Sequence, residues 1–217
     1  MNKTRFFAPI IFLVSVLALQ SCIELTEEVV VNKDRSGSLS FSLGINSSGS
    51  IMGLINQFAD NSYMDDIDDE VQHVIGQLKQ QPGISNVKFN KENSGKLMKL
   101  SFDFSDDKSL NKALYALAGE KKTFYKPAIY KVRTHRFVRK NLTEWAKQLI
   151  DEEKENIPDD LVFSFIKVKT KIQLPAPLKS VSVKNAVVGK DKKTVTLTNG
   201  LSDILETKQS TRFSIRF

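Results

Sequence analysis

The chain has 217 residues, a net charge of +7 and a single cysteine. Its apolar fraction of 41% and its 14 phenylalanines are typical of a protein with an apolar core, which excludes a disordered chain. One cysteine excludes a fold that depends on internal disulfide bonds. The length suffices for one sizeable domain or two small ones.

The first 22 residues have the pattern of a secretory signal. Two basic residues, Lys3 and Arg5, precede an apolar run over Phe6–Leu19. As a helix this run is about 20 Å long, which is shorter than the roughly 30 Å hydrocarbon core of a bilayer. The pattern therefore predicts a cleaved signal peptide rather than a permanent membrane span.

The apolar run ends in Leu19-Gln20-Ser21-Cys22, directly before a polar, acidic stretch. This tetrapeptide resembles the lipobox of bacterial lipoproteins, in the relaxed form of the Bacteroidetes group, and departs from the usual pattern at Gln20. The resemblance implies cleavage of residues 1–21, diacylglycerol on the Cys22 sulfur and an acyl chain such as palmitate on the new N-terminus. Two or more acyl chains give a durable membrane anchor.

The mature chain is predicted to lie at a membrane in the bacterial cell envelope. It would have 196 residues and a net charge of +5, with residues 22–26 as a short tether. Nucleic acid is not expected as a partner, because export separates the protein from it. Ile23 stands where an Asp retains enterobacterial lipoproteins in the inner membrane, so the outer membrane, facing the periplasm or the cell surface, is the expected location.

The residue pattern in the first half of the mature chain predicts a mixture of strands and helices. The apolar residues Leu39, Phe41 and Leu43 alternate with serines, which indicates a strand with one buried face. The element order is compatible with a ferredoxin-like split βαβ unit. The predicted elements are strands at Glu27–Asn32 and Ser38–Gly44, helices at Ile51–Phe58 and Asp66–Gln80, a hairpin at Ile84–Asn90 and Lys96–Phe104, a helix capped by Asp106 or Asp107 and ending near Gly119, and a strand over Tyr125–Val138.

The second half predicts one helix and then mostly strands. Asn141 and Glu144 match a capping box, which starts a helix through about Lys154. A short turn or helix is expected at Leu201–Glu206. Strands are predicted at Leu161–Leu174, Val181–Val188, Thr194–Thr198 and Thr211–Phe217.

Together these elements predict an α+β fold. It has a mixed or antiparallel sheet with several packed helices and a C-terminal antiparallel β region. Residues 27–217 form the envelope domain, with a candidate sub-boundary near residues 120–140. The element order, with a hairpin directly after the cysteine and late strands around a Pro-containing turn, is similar to the soluble domain of LppM-type bacterial lipoproteins. No residue motif carries that similarity to individual positions.

The segment Lys121–Lys140 is rich in basic residues, contains no acid and has interleaved aromatic residues. On an exported protein this pattern favours an anion site for phosphates of lipids or lipopolysaccharide, or for an acidic polymer. The alternative is the solvent-exposed face of a strand whose Lys and Arg protect a sheet edge. The candidate anion-binding residues are Lys126, Lys131, Arg133, Arg136, Arg139 and Lys140.

No motif for catalysis, metal or cofactor binding is present in the sequence. His73 and His135 lie in different predicted elements, without cysteine or paired acids at ligand spacing. The acidic group over Asp65–Glu70 lacks the pattern of a calcium loop and is predicted to form the first turn of a helix. The expectation is therefore a protein without a catalytic site, a metal or a cofactor.

Three functions remain from the sequence alone. The leading hypothesis is a non-enzymatic envelope lipoprotein that binds or assembles with an envelope protein. The second is a carrier of an apolar or lipid ligand, which a pocket lined by Phe and Leu would favour. The third is an enzyme acting on cell-wall or glycan substrates, which paired carboxylates in one cleft would indicate.

Overall fold

The computed structural model describes residues 23–45, 71–92, 96–120, 122–123, 126–144, 147, 161–208 and 210–217. These residues form two β-sheets with short helices, which confirms the predicted α+β class. Four predictions lie outside the described residues: the signal peptide, the lipidation site Cys22, the helix Ile51–Phe58 and the acidic group over Asp65–Glu70. The predicted helix through about Lys154 lies mostly outside them as well, and its described residues 143, 144 and 147 are helical.

Within the described ranges, the large sheet has seven strands in the order β3-β4-β2-β1-β7-β10-β9. Its neighbouring strands are antiparallel, except that β1 and β7 are parallel. The strands are β1 (Ile23–Val31), β2 (Gly37–Ile45), β3 (Ile84–Glu92), β4 (Leu97–Phe104), β7 (Ile166–Gln173), β9 (Val187–Val188) and β10 (Thr194–Gly200).

Four further strands form a small antiparallel sheet over the described residues, in the order β5-β6-β11-β8. They are β5 (Tyr130–Arg133), β6 (Arg136–Arg139), β8 (Ser180–Val181) and β11 (Phe213–Arg216). The last strand, predicted from the alternation of Phe213, Ile215 and Phe217, lies between β6 and β8 in this sheet.

Helices join the strands. They are α1, helical over 71–79, α2 (Asp107–Leu117), α3 (Leu161–Ser164) and α4 (Leu201–Leu205). The Asp106 side chain caps α2 by accepting from the Ser109 backbone N–H at 2.7 Å, which satisfies one of the donors that a helix start leaves free. Gly119, with φ of +66°, follows the end of α2.

The predicted split βαβ unit is present in the large sheet. Strands β2 and β3 are parallel to each other because both pair antiparallel with β4, which lies between them. The connection from β2 to β3 contains α1. The other neighbour of β2 is β1, rather than a strand that follows α2. After α2 the chain enters the small sheet instead.

The prediction of one strand over Tyr125–Val138 is wrong, because this segment contains a hairpin. Strand β5 ends at Arg133, Thr134 and His135 form the turn, and β6 returns to Arg139. The alternation changes phase at this two-residue turn, because Val132 pairs with Phe137 and the buried positions are even-numbered before the turn and odd-numbered after it. The turn also contains no Gly or Asn, the residues that usually mark such a hairpin.

Two other strand predictions need correction. The segment predicted as strand from Leu161 begins with the helical turn α3, and β7 starts only at Ile166. The predicted strand Val181–Val188 is divided, because β8 joins the small sheet and β9 the large one. The C-terminal strands pair with one another in antiparallel orientation, as predicted: β10 pairs with β7 and β9, and β11 pairs with β8. They do not form a separate region, because they are divided between the two sheets.

The core lies on the inner face of the large sheet, with residues of the small sheet and α2 in the same apolar cluster. Its centre is a row of side chains in register across five strands, each at most 1% exposed. The row is Val195, Ile172, Val29, Leu39 and Phe102.

Candidate functional site

Two further rows of side chains cross the inner face of the large sheet, because residues two apart on a strand share a face. The second row, next to the core, is Thr170, Glu27, Phe41, Leu100 and Phe89. The third row is Asn199, Val168, Leu25, Leu43 and Met98.

Burial decreases from the core row to the second and third rows, toward the start of β1. Val29 is fully buried and Glu27 is 7% exposed, whereas Leu25 is 37% exposed. The inner face is therefore closed at the core and open at the end of the sheet where β1 begins.

A pocket of about 590 Å³ lies over the second and third rows. Apolar residues from outside the large sheet form the other walls, namely Leu114 and Leu117 of α2, Ile129, Leu142 and Ile204. Its volume is in the range of about 300–1,000 Å³ that is typical of small-ligand sites. The pocket has a mostly apolar lining with a few polar groups, as such sites do.

Glu27 is a buried carboxylate between the inward-facing apolar residues Leu25 and Val29 of β1, and both of its oxygens have partners. The Tyr130 hydroxyl donates to Oε1, and the Thr170 hydroxyl donates to Oε2 at 3.2 Å. Arg139 Nη1 lies 3.1 Å from Oε2 and donates to Thr170 Oγ1 at 2.7 Å. The cluster joins Glu27 and Thr170 of the large sheet to Tyr130 and Arg139 of the small sheet.

The pKa values of Tyr130 and Arg139 are both raised in this cluster. Burial, with a smaller effect of the nearby Glu27 charge, raises the pKa of Tyr130 well above its ordinary value, so the phenol remains a hydrogen-bond donor. Burial alone lowers the pKa of Arg139, but the nearby Glu27 carboxylate and the Tyr130 hydroxyl oxygen reverse this effect and the pKa is raised. The guanidinium therefore stays charged and forms a neutral pair with the Glu27 carboxylate.

Asn111 of α2 holds the start of β5 and thereby positions Tyr130. Its Oδ1 accepts from the Tyr130 backbone N–H at 3.0 Å and from that of Ile129. Its Nδ2 donates to the Tyr130 carbonyl at 2.8 Å. Asn111 is only 3% exposed, so these bonds have no competition from bulk water.

One donor of Arg139 has no acceptor. The Nε atom is buried and lacks a hydrogen-bond partner among the residues that the structure describes. The ring of Phe213 lies beside the guanidinium, with 5.9 Å between its centroid and Cζ. Arg139 lines the pocket. Because buried N–H groups are nearly always paired, this unpaired donor is a cost that the rest of the cluster offsets.

The structure does not bring all six predicted anion-binding residues together. Arg139 is buried in the ion pair with Glu27 rather than exposed on a basic surface. Lys126 forms an ion pair with Glu120. Arg136 donates through Nε to Ser214 Oγ at 2.9 Å, and Lys140 is exposed just after β6.

Lys131 and Arg133 line a second, smaller cleft of about 530 Å³ at the start of α2. Three lysines that the prediction did not include line the same cleft: Lys108, Lys112 and Lys122. We call these five basic residues and their cleft the basic cleft. Anion binding there remains a prediction.

The two histidines are separate surface residues. His73 Nε2 is 2.7 Å from Gln77 Nε2, and His135 lies in the turn between β5 and β6. Over the described ranges, His, Cys, Asp and Glu side chains form no group of three or more that could hold a metal. None of the helices in those ranges is long and apolar enough to span a membrane.

Comparisons with known proteins assign no family. No protein-family model matches the chain, and no curated protein matches it. Among solved structures, the chain is similar to the NMR structure of the folded domain of LppM from Mycobacterium tuberculosis, with 11% identity, 91% of each chain covered and a TM-score of 0.41. The similarity extends over most of both chains, at a level that assigns no function.

Proposed function

We propose that this chain is a non-enzymatic lipoprotein of the bacterial cell envelope whose folded domain holds an acyl chain of a membrane lipid. The observation that carries the proposal is the pocket of about 590 Å³. Leu, Phe, Met, Val and Ile side chains form most of its lining. Such a pocket favours the hypothesis of a lipid carrier over that of an assembly partner. Assembly with an envelope protein stays an untested prediction.

The place where the pocket opens supports a lipid from the membrane as the ligand. Leu25, at the open end, follows Cys22 by three residues, or about 10 Å along an extended chain. If Cys22 carries the acyl anchor that the lipobox implies, the open end lies next to the bilayer. A lipid then reaches the pocket without crossing bulk water. The outer membrane is the location that Ile23 favours.

The energetics suit a carrier. Transfer of an acyl chain from water to an apolar site is favourable by ~0.8 kcal/mol per CH₂. A lipid that leaves a bilayer for this pocket exchanges one apolar environment for another, so this term nearly cancels. Binding is then reversible, and the polar groups of the pocket decide which lipid is held.

Photochemical crosslinking tests the proposal. Cells that express the full-length protein incorporate a fatty acid with a photoreactive group in its chain, and the crosslinked peptides are identified by mass spectrometry after irradiation. We expect crosslinks at Phe41, Leu100 and Leu117, on different walls of the pocket. Crosslinks confined to surface residues such as Val187, which is 67% exposed, would contradict the proposal.

Two matched variants locate the binding. Ala118→Trp adds an indole at the pocket wall, and we expect it to reduce pocket crosslinking at least fivefold. Val187→Trp adds the same group on the exposed edge strand β9 and is expected to leave crosslinking unchanged. Equal labelling of both variants would contradict binding in the pocket.

A further inference from the structure

We infer that the open end of the large sheet is a membrane-docking surface, whose apolar side chains enter the interfacial layer of the bilayer. This inference rests on the proposed lipoprotein and adds the surface by which its domain contacts the membrane. We call this surface the apolar rim, and its residues are Ile23, Leu25, Ile45, Phe165 and Ile166.

The apolar rim contains a fourth row of side chains on the inner face, beyond the third row. Ile23 of β1 pairs with Ile45 of β2 and with Ile166 of β7. All three residues are isoleucines, and each is only partly buried. The row therefore continues the apolar lining of the pocket as far as the first residue after Cys22.

Two strongly exposed apolar residues lie next to this row. Leu25 is 37% exposed and Phe165 is 40% exposed. The Phe165 carbonyl accepts from the Ile23 N–H at 3.4 Å, so the two residues are neighbours. Apolar residues that are exposed together, rather than singly, mark an interaction site.

The position of Cys22 indicates that the membrane covers the apolar rim. Strand β1 begins at Ile23, so no residue separates Cys22 from the sheet. Adjacent Cα atoms are about 4 Å apart, and acyl chains on Cys22 therefore hold the apolar rim at the bilayer surface. A protein that covered the rim would have to lie between the domain and its own anchor, where the chain leaves no room.

The backbone of the apolar rim suits an environment with little water. The Ile23 N–H is bonded to the Phe165 carbonyl, and the Ile45 N–H donates to the Lys96 carbonyl at 2.8 Å. An unpaired N–H group is costly in lipid, and these two strand ends have paired theirs.

Charged residues beside the apolar rim limit the depth of insertion. Glu24 and Lys167 are register partners on the outer face of the sheet, one residue from the fourth row, and Lys96 is exposed beside Ile45. Charged side chains are costly in hydrocarbon but are stable among lipid headgroups. The rim side chains therefore enter to about 5–10 Å, the depth of interfacial helices, and the strands stay above them.

Fluorescence quenching of a bimane label on an introduced cysteine tests docking. The full-length acylated protein is reconstituted in phosphatidylcholine vesicles as Phe165→Cys or as Val188→Cys. The two native side chains are matched in exposure, at 40% and 41%. Val188 pairs with Val195, in the row at the centre of the core. That row meets β7 at Ile172, six residues or about 20 Å from Ile166.

Two quenchers report the surroundings of the label, a lipid with a nitroxide near its headgroup and iodide in the water. We expect the nitroxide lipid to quench residue 165 at least about threefold more strongly than residue 188, as insertion to interfacial depth implies. Iodide should show the reverse order. Quenching of residue 165 by iodide and not by the nitroxide would overturn the inference. Quenching by neither would show that protein covers the rim, and would overturn it as well.

Two controls exclude other causes of quenching. The unaltered chain should bind no bimane, because an acylated Cys22 has no free thiol, and labelling of Cys22 would remove the anchor on which the inference rests. A nitroxide lipid inside the pocket could also quench the rim. Ala118→Trp reduces pocket binding, so quenching at residue 165 should persist in this background, and its loss would overturn docking.

A second pair of variants tests the contribution of Phe165. The label is placed at Ile45→Cys, and Phe165→Asp or Val188→Asp is added. We expect Phe165→Asp to lower nitroxide quenching at residue 45 at least about twofold, because a charge resists transfer into lipid, and Val188→Asp to leave it unchanged. Equal quenching in both would contradict the role of the rim. If Phe165→Asp does not fold, the comparison of residues 165 and 188 still decides the inference.

These results are separable from the test of the proposed function. Crosslinks in the pocket without quenching at the rim would overturn docking and leave lipid binding standing. Quenching at the rim without crosslinks in the pocket would support docking, and the proposed lipid binding would fail.

Discussion

Glu27 of the large sheet and Arg139 of the small sheet form a buried ion pair, with 3.1 Å between Oε2 and Nη1. The pair is one of the contacts that fix the two sheets relative to each other. It also forms part of the pocket wall. The same residues therefore contribute to the fold and to the wall of the pocket.

Single and double substitutions in the ion pair are expected to lower the free energy of unfolding by different amounts. Arg139→Met alone leaves Glu27 as an unpaired buried charge, and we expect it to lower the free energy of unfolding by about 3–5 kcal/mol. Glu27→Gln with Arg139→Met leaves no charge, and we expect a much smaller loss. Urea denaturation measures both. A double variant as unstable as Arg139→Met would show that packing, rather than charge, sets the stability here.

The cap of α2 predicts a pH-dependent contribution to stability. The hydrogen bond from the Ser109 backbone lowers the pKa of Asp106 below its ordinary value. A lowered pKa in the folded state means that the contribution is present at neutral pH and is lost as the pH falls through that pKa. We expect Asp106→Ala to cost about 1 kcal/mol at pH 7, and this difference from the unaltered chain should shrink below about pH 4.

Asp106→Asn is the control for this prediction. Asn also caps helices but does not titrate. At pH 7 the free energy of unfolding should therefore be lowered less by Asp106→Asn than by Asp106→Ala. Urea denaturation at pH 7 and at pH 3 gives the comparison. A deficit in Asp106→Ala that is the same at both pH values would contradict the role of the carboxylate charge.

The basic cleft predicts where anionic lipid headgroups bind. Each basic residue near an anionic membrane contributes about 1 kcal/mol, so we expect Lys131→Glu with Arg133→Glu to weaken binding to phosphatidylglycerol vesicles at least tenfold. Arg136→Glu with Lys140→Glu makes the same change in net charge outside the basic cleft. Vesicle sedimentation compares the two pairs at low salt. Equal losses would indicate a response to net charge rather than a site.

The predicted lipid anchor requires Cys22, because the chain has no other cysteine. We expect Cys22→Ala to abolish incorporation of labelled palmitate in cells. The expectation follows from the thiol, which is the attachment point that the lipobox implies. Ser21→Ala, which keeps a small residue before the cysteine, should still be labelled. Incorporation of palmitate into Cys22→Ala would contradict the assignment.

Alternation along the sequence predicts which face of a strand is buried. Leu39 in β2 was expected on a buried face from its spacing, and it is fully buried. The same pattern in β1 contains a signal that was overlooked. Glu27 occupies an inward position between Leu25 and Val29, where an acid requires partners. The hairpin of β5 and β6 contains a second such signal, because its buried positions change from even-numbered to odd-numbered across the turn.

The pocket itself could not be predicted from the sequence. Glu27 lies 103 residues from Tyr130 and 143 residues from Thr170 along the chain. Periodicity identifies a face but not the strand that pairs with it, and the parallel pairing of β1 with β7 brings Thr170 next to Glu27. The basic segment was recognised from composition, but composition did not separate the buried Arg139 from the exposed Arg133.

Native mass spectrometry of the full-length protein, released from its own membrane, tests lipid binding most directly. The account predicts that the folded protein carries one noncovalent ligand with the mass of a membrane lipid, and that Ala118→Trp lacks it while Val187→Trp retains it. A folded protein without a bound lipid, or one whose lipid survives Ala118→Trp unchanged, would contradict the account.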